Sequence, residues 1–114
     1  MASDCLFCKI AAGEIPVKRV YDDDQCLCFP DIHPQAPTHL LLIPKQHIAS
    51  HAHAGREDDA LLGHLMGVAG EIARAQGLYR GYRLVMNAGP EGGQSVDHIH
   101  LHLLGGRPMA WPPG

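Results

Sequence analysis

His98-Ile99-His100-Leu101-His102-Leu103 sets three histidines in strict alternation with three apolar residues. Successive side chains of a strand point to opposite faces, so the spacing predicts a strand with the imidazoles on one face and Ile99, Leu101 and Leu103 on the other. The apolar face packs on a core, and the other presents a row of groups that titrate near neutral pH. Alternate strand residues lie about 6.5 Å apart, so the row spans about 13 Å. One tetrahedral zinc, with bonds of about 2.0–2.1 Å to histidine nitrogen, reaches two of these rings but not all three. At least one histidine is left for other chemistry.

Directly before the row runs Asn87-Ala88-Gly89-Pro90-Glu91-Gly92-Gly93-Gln94-Ser95. Alone this is an ordinary hairpin loop. Beside aligned histidines it reads as a phosphate cradle, because glycines let backbone N–H groups approach an anion and Ser95 adds a hydroxyl donor. A histidine nitrogen is a competent nucleophile toward phosphorus. Neighbouring imidazolium and N–H groups are then expected to balance phosphoryl charge without Mg²⁺.

The 114 residues, 46% of them hydrophobic, fit a single domain, residues 1–114, with one core. A net charge of −3 offers no basic field for nucleic acid, and no basic run suits a membrane surface. The longest apolar stretch, residues 40–43, is far too short to span a bilayer. Met1-Ala2-Ser3-Asp4 lacks the basic and hydrophobic regions of a signal peptide, so a cytoplasmic location is expected, with the four cysteines as thiols or metal ligands rather than disulfides.

Coarse structure follows from pattern. Residues 5–13 predict a short helix with Leu6, Phe7 and Ile10 on its apolar side and Gly13 as its stop. Asp22-Asp23-Asp24 reads as a turn before a strand over residues 25–29, and residues 30–37, with three prolines, as a structured loop. Residues 38–44 predict a central strand. Residues 57–76 form the one long helix, with Leu61, Leu65, Val68 and Ile72 at helical spacing. Residues 82–87 and 96–104 predict an antiparallel hairpin. Several strands and one long helix make an α+β domain with the helix on one sheet face. His39 reads as a hydrogen-bonded core histidine, and His33, His51, His53 and His64 as surface residues. Cys5-Leu6-Phe7-Cys8 is a CxxC; a zinc site built on it needs two more ligands, for which His47 and one histidine of the row are the obvious donors. Cys26 and Cys28 alternate on a strand as buried thiols.

Residues 94–107, from Gln94-Ser95-Val96-Asp97-His98 through Gly105-Gly106-Arg107, resemble the motif of the histidine triad superfamily. Asp31-Ile32-His33-Pro34, Leu62-Gly63-His64-Leu65-Met66, Gly81-Tyr82-Arg83 and Trp111-Pro112-Pro113-Gly114 are similar to its Hint branch, and the resemblance runs from about Cys5 to the last residue. It implies a five-stranded antiparallel sheet with one long helix, dimerising into a ten-stranded sheet. It also implies hydrolysis of purine nucleoside phosphoramidates by that homodimer. Carried over by residue, His100 matches the nucleophile, and His102, His98 and His39 match the groups that orient it and contact phosphate or leaving group. Asn87, Gly93, Gln94, Ser95 and Val96 match the phosphate-side loop. Asp31 matches the ribose-binding carboxylate, and Phe7, Ile10, Phe29, Ile32 and Leu41 the base pocket. Histidine at 102, where the transferase branch has glutamine, favours hydrolysis.

No cofactor is implied for the chemistry. The CxxC resembles zinc-binding members, whose ligands match Cys5, Cys8, His47 and His98; a zinc there makes His98 structural rather than catalytic. Pro30 and His33 replace the histidine and serine usual in the Phe-His-Asp-Ile-Ser-Pro segment, and Asp97 stands where tyrosine is usual. These changes bear on base and leaving-group preference. The competing readings are a purine-nucleotide-binding or partner-docking protein without turnover, and a structural zinc protein.

Overall fold

A computed structural model describes residues 4–114; Met1, Ala2 and Ser3, on which part of the signal-peptide reading rests, lie outside the described residues. The strands are β1 (Tyr21–Asp22), β2 (Cys26–Pro30), β3 (Thr38–Pro44), β4 (Tyr82–Val85) and β5 (Leu101–Gly105), and the helices α1 (Leu6–Ala11) and α2 (Asp59–Ala75). They form one antiparallel sheet in the order β1-β2-β3-β5-β4. The five-stranded sheet with one long helix is therefore as expected.

Both faces of the central strands are covered, which is why β2 and β3 read as continuous apolar runs. Cys26, Cys28, Leu40, Leu42, Leu101 and Leu103 pack against Leu61, Leu65, Val68 and Ile72 of α2. Leu27, Phe29, Leu41 and Ile43 point the other way and meet Phe7 and Ile10 of α1. Cys5 caps α1, its Sγ accepting the Cys8 N–H at 3.3 Å. The long helix starts later than its pattern suggested because Arg56–Asp58 form a tighter 3₁₀ turn, where the Asp58 carboxylate accepts the Gly55 N–H. No helix among the described residues is long and apolar enough to cross a membrane.

Two expectations need correction. The histidine row is not one strand: β5 begins only at Leu101. The His98 N–H turns back to Val96 O at 2.8 Å, and the Ile99 N–H is taken by Ile48 O at 2.8 Å. The row before residue 101 thus has no β4 backbone to pair with, and β4 ends correspondingly at Val85. The alternation of faces survives, with Ile99, Leu101 and Leu103 in the helix-side core. His64 is not a plain surface residue either. Its Nε2 lies 2.7 Å from Asp23 Oδ2, which also accepts from Tyr21 OH at 2.9 Å. Burial alone would raise the Asp23 carboxyl, but the Gln25 N–H, the His64 ring and the Cys26 N–H hold it well below the usual range. This network ties α2 to the β1–β2 turn. Cys26 and Cys28 are buried as read, and burial pushes both thiols up to about 12.

Candidate active site and metal centre

The face opposite α2 carries the polar groups. β3 places His39 beside Leu41, and β5 sets His102 opposite Leu41, so the two rings meet across the strand pair. His39 Nε2 and His102 Nδ1 are 2.9 Å apart. His39 Nδ1 accepts the Gln35 N–H at 3.0 Å, and an amide can only donate. The His39 proton therefore sits on Nε2 and is given to His102 Nδ1, leaving the His102 proton on Nε2. Asp31 Oδ2 stands 3.4 Å from His39 Nε2, and its Oδ1 accepts the His33 N–H at 2.8 Å.

His100 is oriented independently. Its Nδ1 donates to the His98 carbonyl at 2.8 Å, so its lone pair is on Nε2. The ring is 3% exposed, standing against the Phe7 edge at 5.1 Å and His102 at 5.0 Å between centroids. One unprotonated imidazole nitrogen next to a protonated one is the arrangement that nucleophilic attack on phosphorus with proton donation requires.

The protonation states refine the expected electrostatics. Burial, then the His100 and His39 rings, push His102 down to about 4. Burial also lowers His39, against the nearby Asp31 carboxylate. The neighbours of His100 are thus neutral N–H donors near pH 7, not the imidazolium groups anticipated from sequence. The same shifts predict how stability depends on pH. Below the ordinary histidine value of 6.5 the unfolded chain takes up protons that folded His102 refuses until about 4. Stability contributed by the neutral ring is therefore complete above about 6.5 and lost as pH falls toward about 4. Thermal melts from pH 7 to 4.5 should show that loss, with a shallower dependence in His102→Gln; identical slopes would contradict it.

The loop before the histidines is built from close turns. The amides of Gly92, Gly93 and Gln94 close onto Gly89 O, Pro90 O and Gly89 O, so they are committed to the loop itself. Gly92 is required there, since a Cβ would come within 2.5 Å of Ala88 O. The Gln94 side chain locks the loop, its Oε1 accepting from Gly89 N–H and its Nε2 donating to Ala49 O and Val96 O. Asn87 lies against Gly93. Among the described residues, the Ser95 and Val96 amides have no protein acceptor. Of the expected base-pocket residues, Phe7, Ile10, Phe29 and Leu41 are brought together in one cluster, with Val96 packed on it. Ile32 stands apart, 86% exposed. Pro30, His33 and Asp97 are on the surface.

His98 faces elsewhere. Its ring is fully buried, its Nε2–H donates to Pro44 O at 2.8 Å, and its bare Nδ1 points into the CxxC. Nδ1 lies 3.3 Å from Cys5 Sγ, 3.5 Å from Cys8 Sγ and 3.1 Å from His47 Nδ1, while Cys8 Sγ is 3.3 Å from His47 Nδ1. Tetrahedral zinc with two sulfur and two nitrogen ligands has ligand–ligand edges of about 3.3–3.8 Å, so the donor set and its spacing fit that ion. The Pro44 carbonyl fixes the ligating tautomer of His98, as outer partners of metal-bound histidines do. The His98 carbonyl, by contrast, reaches the other group and holds the His100 ring at Nδ1. The Asp31–His39–His102 group also lies within ligand distance of itself, but His39 and His102 each use a nitrogen on the other.

The sequence profile of the HIT domain family matches residues 12–109, and the chain belongs to that family. It is 56% identical over all 114 residues, covering the whole of both chains, to an uncharacterised HIT-like protein of Synechococcus elongatus. The structure superposes on a HIT family hydrolase from Legionella pneumophila with a TM-score of 0.96 at 57% identity, covering 97% of this chain and 100% of that one. A histidine triad nucleotide-binding protein from Candida albicans matches with a TM-score of 0.82 at 32% identity, covering 96% and 83%. The fold is that of a family of hydrolases and nucleotide-binding proteins.

Proposed function

We propose that this chain hydrolyses purine nucleoside phosphoramidates through a nucleotidyl-histidine intermediate on His100. The observation that carries the reading is the pair of opposed tautomers, a bare Nε2 on His100 beside a protonated Nε2 on His102. His100 Nε2 attacks phosphorus and the P–N bond breaks. The leaving nitrogen departs as an amine after taking the proton of His102 Nε2, a role the tautomer of that ring supports. Positive charge developing on the His100 ring is met by the His98 carbonyl at Nδ1. Water then attacks phosphorus, passing a proton to the vacated His102 Nε2 as it does so; the P–Nε2 bond breaks, and the nucleoside monophosphate is released with both rings in their starting tautomers. Ser95 and the free amides of Ser95 and Val96 are the donors for phosphoryl oxygens. Asp31 takes the ribose hydroxyls, and the base lies against the Phe7–Phe29 cluster and exposed Ile32. Rapid quench with adenosine 5′-monophosphoramidate should trap one nucleotidyl group per chain on His100, located by mass spectrometry. Turnover without a trapped adduct would overturn the covalent route, and no turnover would overturn the reading.

The working unit in this reading is a homodimer. β4 is an outer strand, with Tyr82 44% exposed, and α2 leaves Met66 53% exposed. An unpaired edge with exposed apolar side chains favours a closed two-fold pair. Trp111 is 83% exposed and in this reading reaches the partner's site. Sedimentation at micromolar concentration should give a dimer, and deletion of residues 111–114 should alter leaving-group preference more than the melting temperature. A monomer, or unchanged preference, would refute the respective half.

A further inference from the structure

Arg107 lies beyond β5 and has no place in the chemistry above. Its Nε and Nη2 converge on one acceptor, Gln35 O, at 3.1 and 3.0 Å, and its Nη1 donates to Pro108 O at 2.9 Å. Two donors on one carbonyl fix the orientation of residue 35 more firmly than a single bond would. The amide of the same residue is the donor to His39 Nδ1, at 3.0 Å. His39 in turn meets His102 at 2.9 Å. A continuous chain of contacts thus runs from an exposed guanidinium to the proton donor of the site.

The backbone is shaped for this reach. Gly106 has φ +91°, and a Cβ there would come within 2.9 Å of Pro37 Cβ. The turn after β5 can cross that closely over the loop between β2 and β3 only with glycine. The loop is closed on its other side by the Gln35 side-chain donation to His33 O and the His33 N–H to Asp31.

We propose that Arg107 is a positioning residue that sets the tautomers of His39 and His102 by aiming the Gln35 amide. Every link in the chain has one polarity. With the Gln35 N–H at Nδ1, His39 must carry its proton on Nε2, and His102 must then carry its own on the outer Nε2. If the amide swings away, nothing bars a proton from His39 Nδ1, and only the Asp31 carboxylate, 3.4 Å from Nε2, still favours the original tautomer, so the two tautomers mix. With the proton on His39 Nδ1, the contact between the rings requires His102 to donate from Nδ1, and His102 Nε2 becomes an acceptor that cannot protonate a leaving nitrogen. The rate consequence rests on the hydrolase reading above; the tautomer consequence does not.

The test uses full-length protein labelled with ¹⁵N-histidine, in which ring nitrogen shifts report the tautomer directly. In the wild-type chain His39 and His102 should both show protonated Nε2 and bare Nδ1. In Arg107→Ala the two His39 nitrogen shifts should move toward each other as tautomers mix. The kcat for adenosine phosphoramidate should fall about tenfold, the size of one lost hydrogen bond, with KM within about twofold. Arg107→Lys, which can restore one donor, should recover part of both signals. Arg107→Met keeps the aliphatic stem without any donor and carries the same readout if the alanine variant does not fold. Arg83→Ala is the control for the tail, because Arg83 donates to Ala110 O at 2.7 Å and makes no hydrogen bond to residue 35. Its His39 and His102 shifts should be those of the wild type. Unchanged shifts on loss of the Arg107 donors, equal changes in Arg83→Ala, or an unaltered kcat despite mixed tautomers would each overturn the proposal. A wild-type chain without turnover defeats the hydrolase reading instead, while its ring shifts still decide the linkage.

Discussion

Replacing His100 by alanine should abolish phosphoramidate turnover, by about four orders of magnitude or more, while binding of AMP weakens only severalfold. The loss is expected to be this complete because no other ring can stand in as the nucleophile. His102 Nδ1 is occupied by His39 and its Nε2 carries a proton. His98 has Nε2 on Pro44 O and Nδ1 among the CxxC ligands. His39 is committed at both nitrogens. His100 Nε2 is the one nitrogen of the four with a lone pair and no protein partner among the described residues. Binding survives because the base, ribose and phosphate contacts in the proposed function come from other residues. Release of AMP, measured alongside calorimetric titration with AMP, checks both halves. Near-normal turnover would remove His100 from the mechanism, and lost AMP binding would show that the ring shapes the pocket.

What the chain disclosed in advance divides by the physical range of each signal. The period of Leu61, Leu65, Val68 and Ile72 is a local property, and all four side chains are buried under the sheet. The alternation from His98 to Leu103 gave the faces correctly but not the strand limits. Periodicity reports which side a residue takes, whereas a strand also needs a neighbouring backbone, and at Ile99 that neighbour is Ile48. The pairing of His64 with Asp23 joins residues 41 apart, and nothing in either residue type singles out the other. The CxxC was visible, but its two histidines arrive from 39 and 93 residues away; residue type suggested His47 and some member of the row, and the family resemblance singled out His98. Gln35 and Arg107 were missed for a further reason. Gln35 acts through its backbone N–H and C=O, which every non-proline residue has, so its type carried no signal. The prolines at 34 and 37 marked a rigid loop without saying which amide would point inward. Burial was equally decisive for charge: from sequence three histidines beside a phosphate loop suggested imidazolium, and desolvation of His102 reverses that.

Chain purified without chelator should carry about one zinc, bound by Cys5, Cys8, His47 and His98, and stripping it should lower stability rather than act on the chemistry. The geometry gives both expectations. The Nδ1 atoms of His47 and His98 face each other at 3.1 Å, a contact that brings two lone pairs together unless a proton or a cation lies between them. Burial, then the hydrogen bond and charge of Cys5, push the Cys8 thiol up to about 11; a bound cation would favour the thiolate instead. Four protein ligands complete a tetrahedron and leave no position for substrate, so the ion would be structural. It would fasten the start of α1 to the residue whose carbonyl holds His100, which makes rigidity at that carbonyl the only route from metal to rate. With free zinc at about a thousandfold over its Kd, the folded chain gains about 4 kcal/mol, a rise in Tm of about 10 °C or more for a domain of this size. Cys8→Ser should remove most of that gain. At a temperature where the stripped chain stays folded, turnover should persist, because phosphoryl charge is met by N–H donors. Loss of rate in proportion to zinc removed, from protein still folded, would assign the ion a catalytic part. An identical melting temperature with and without zinc would show that these four residues hold no metal.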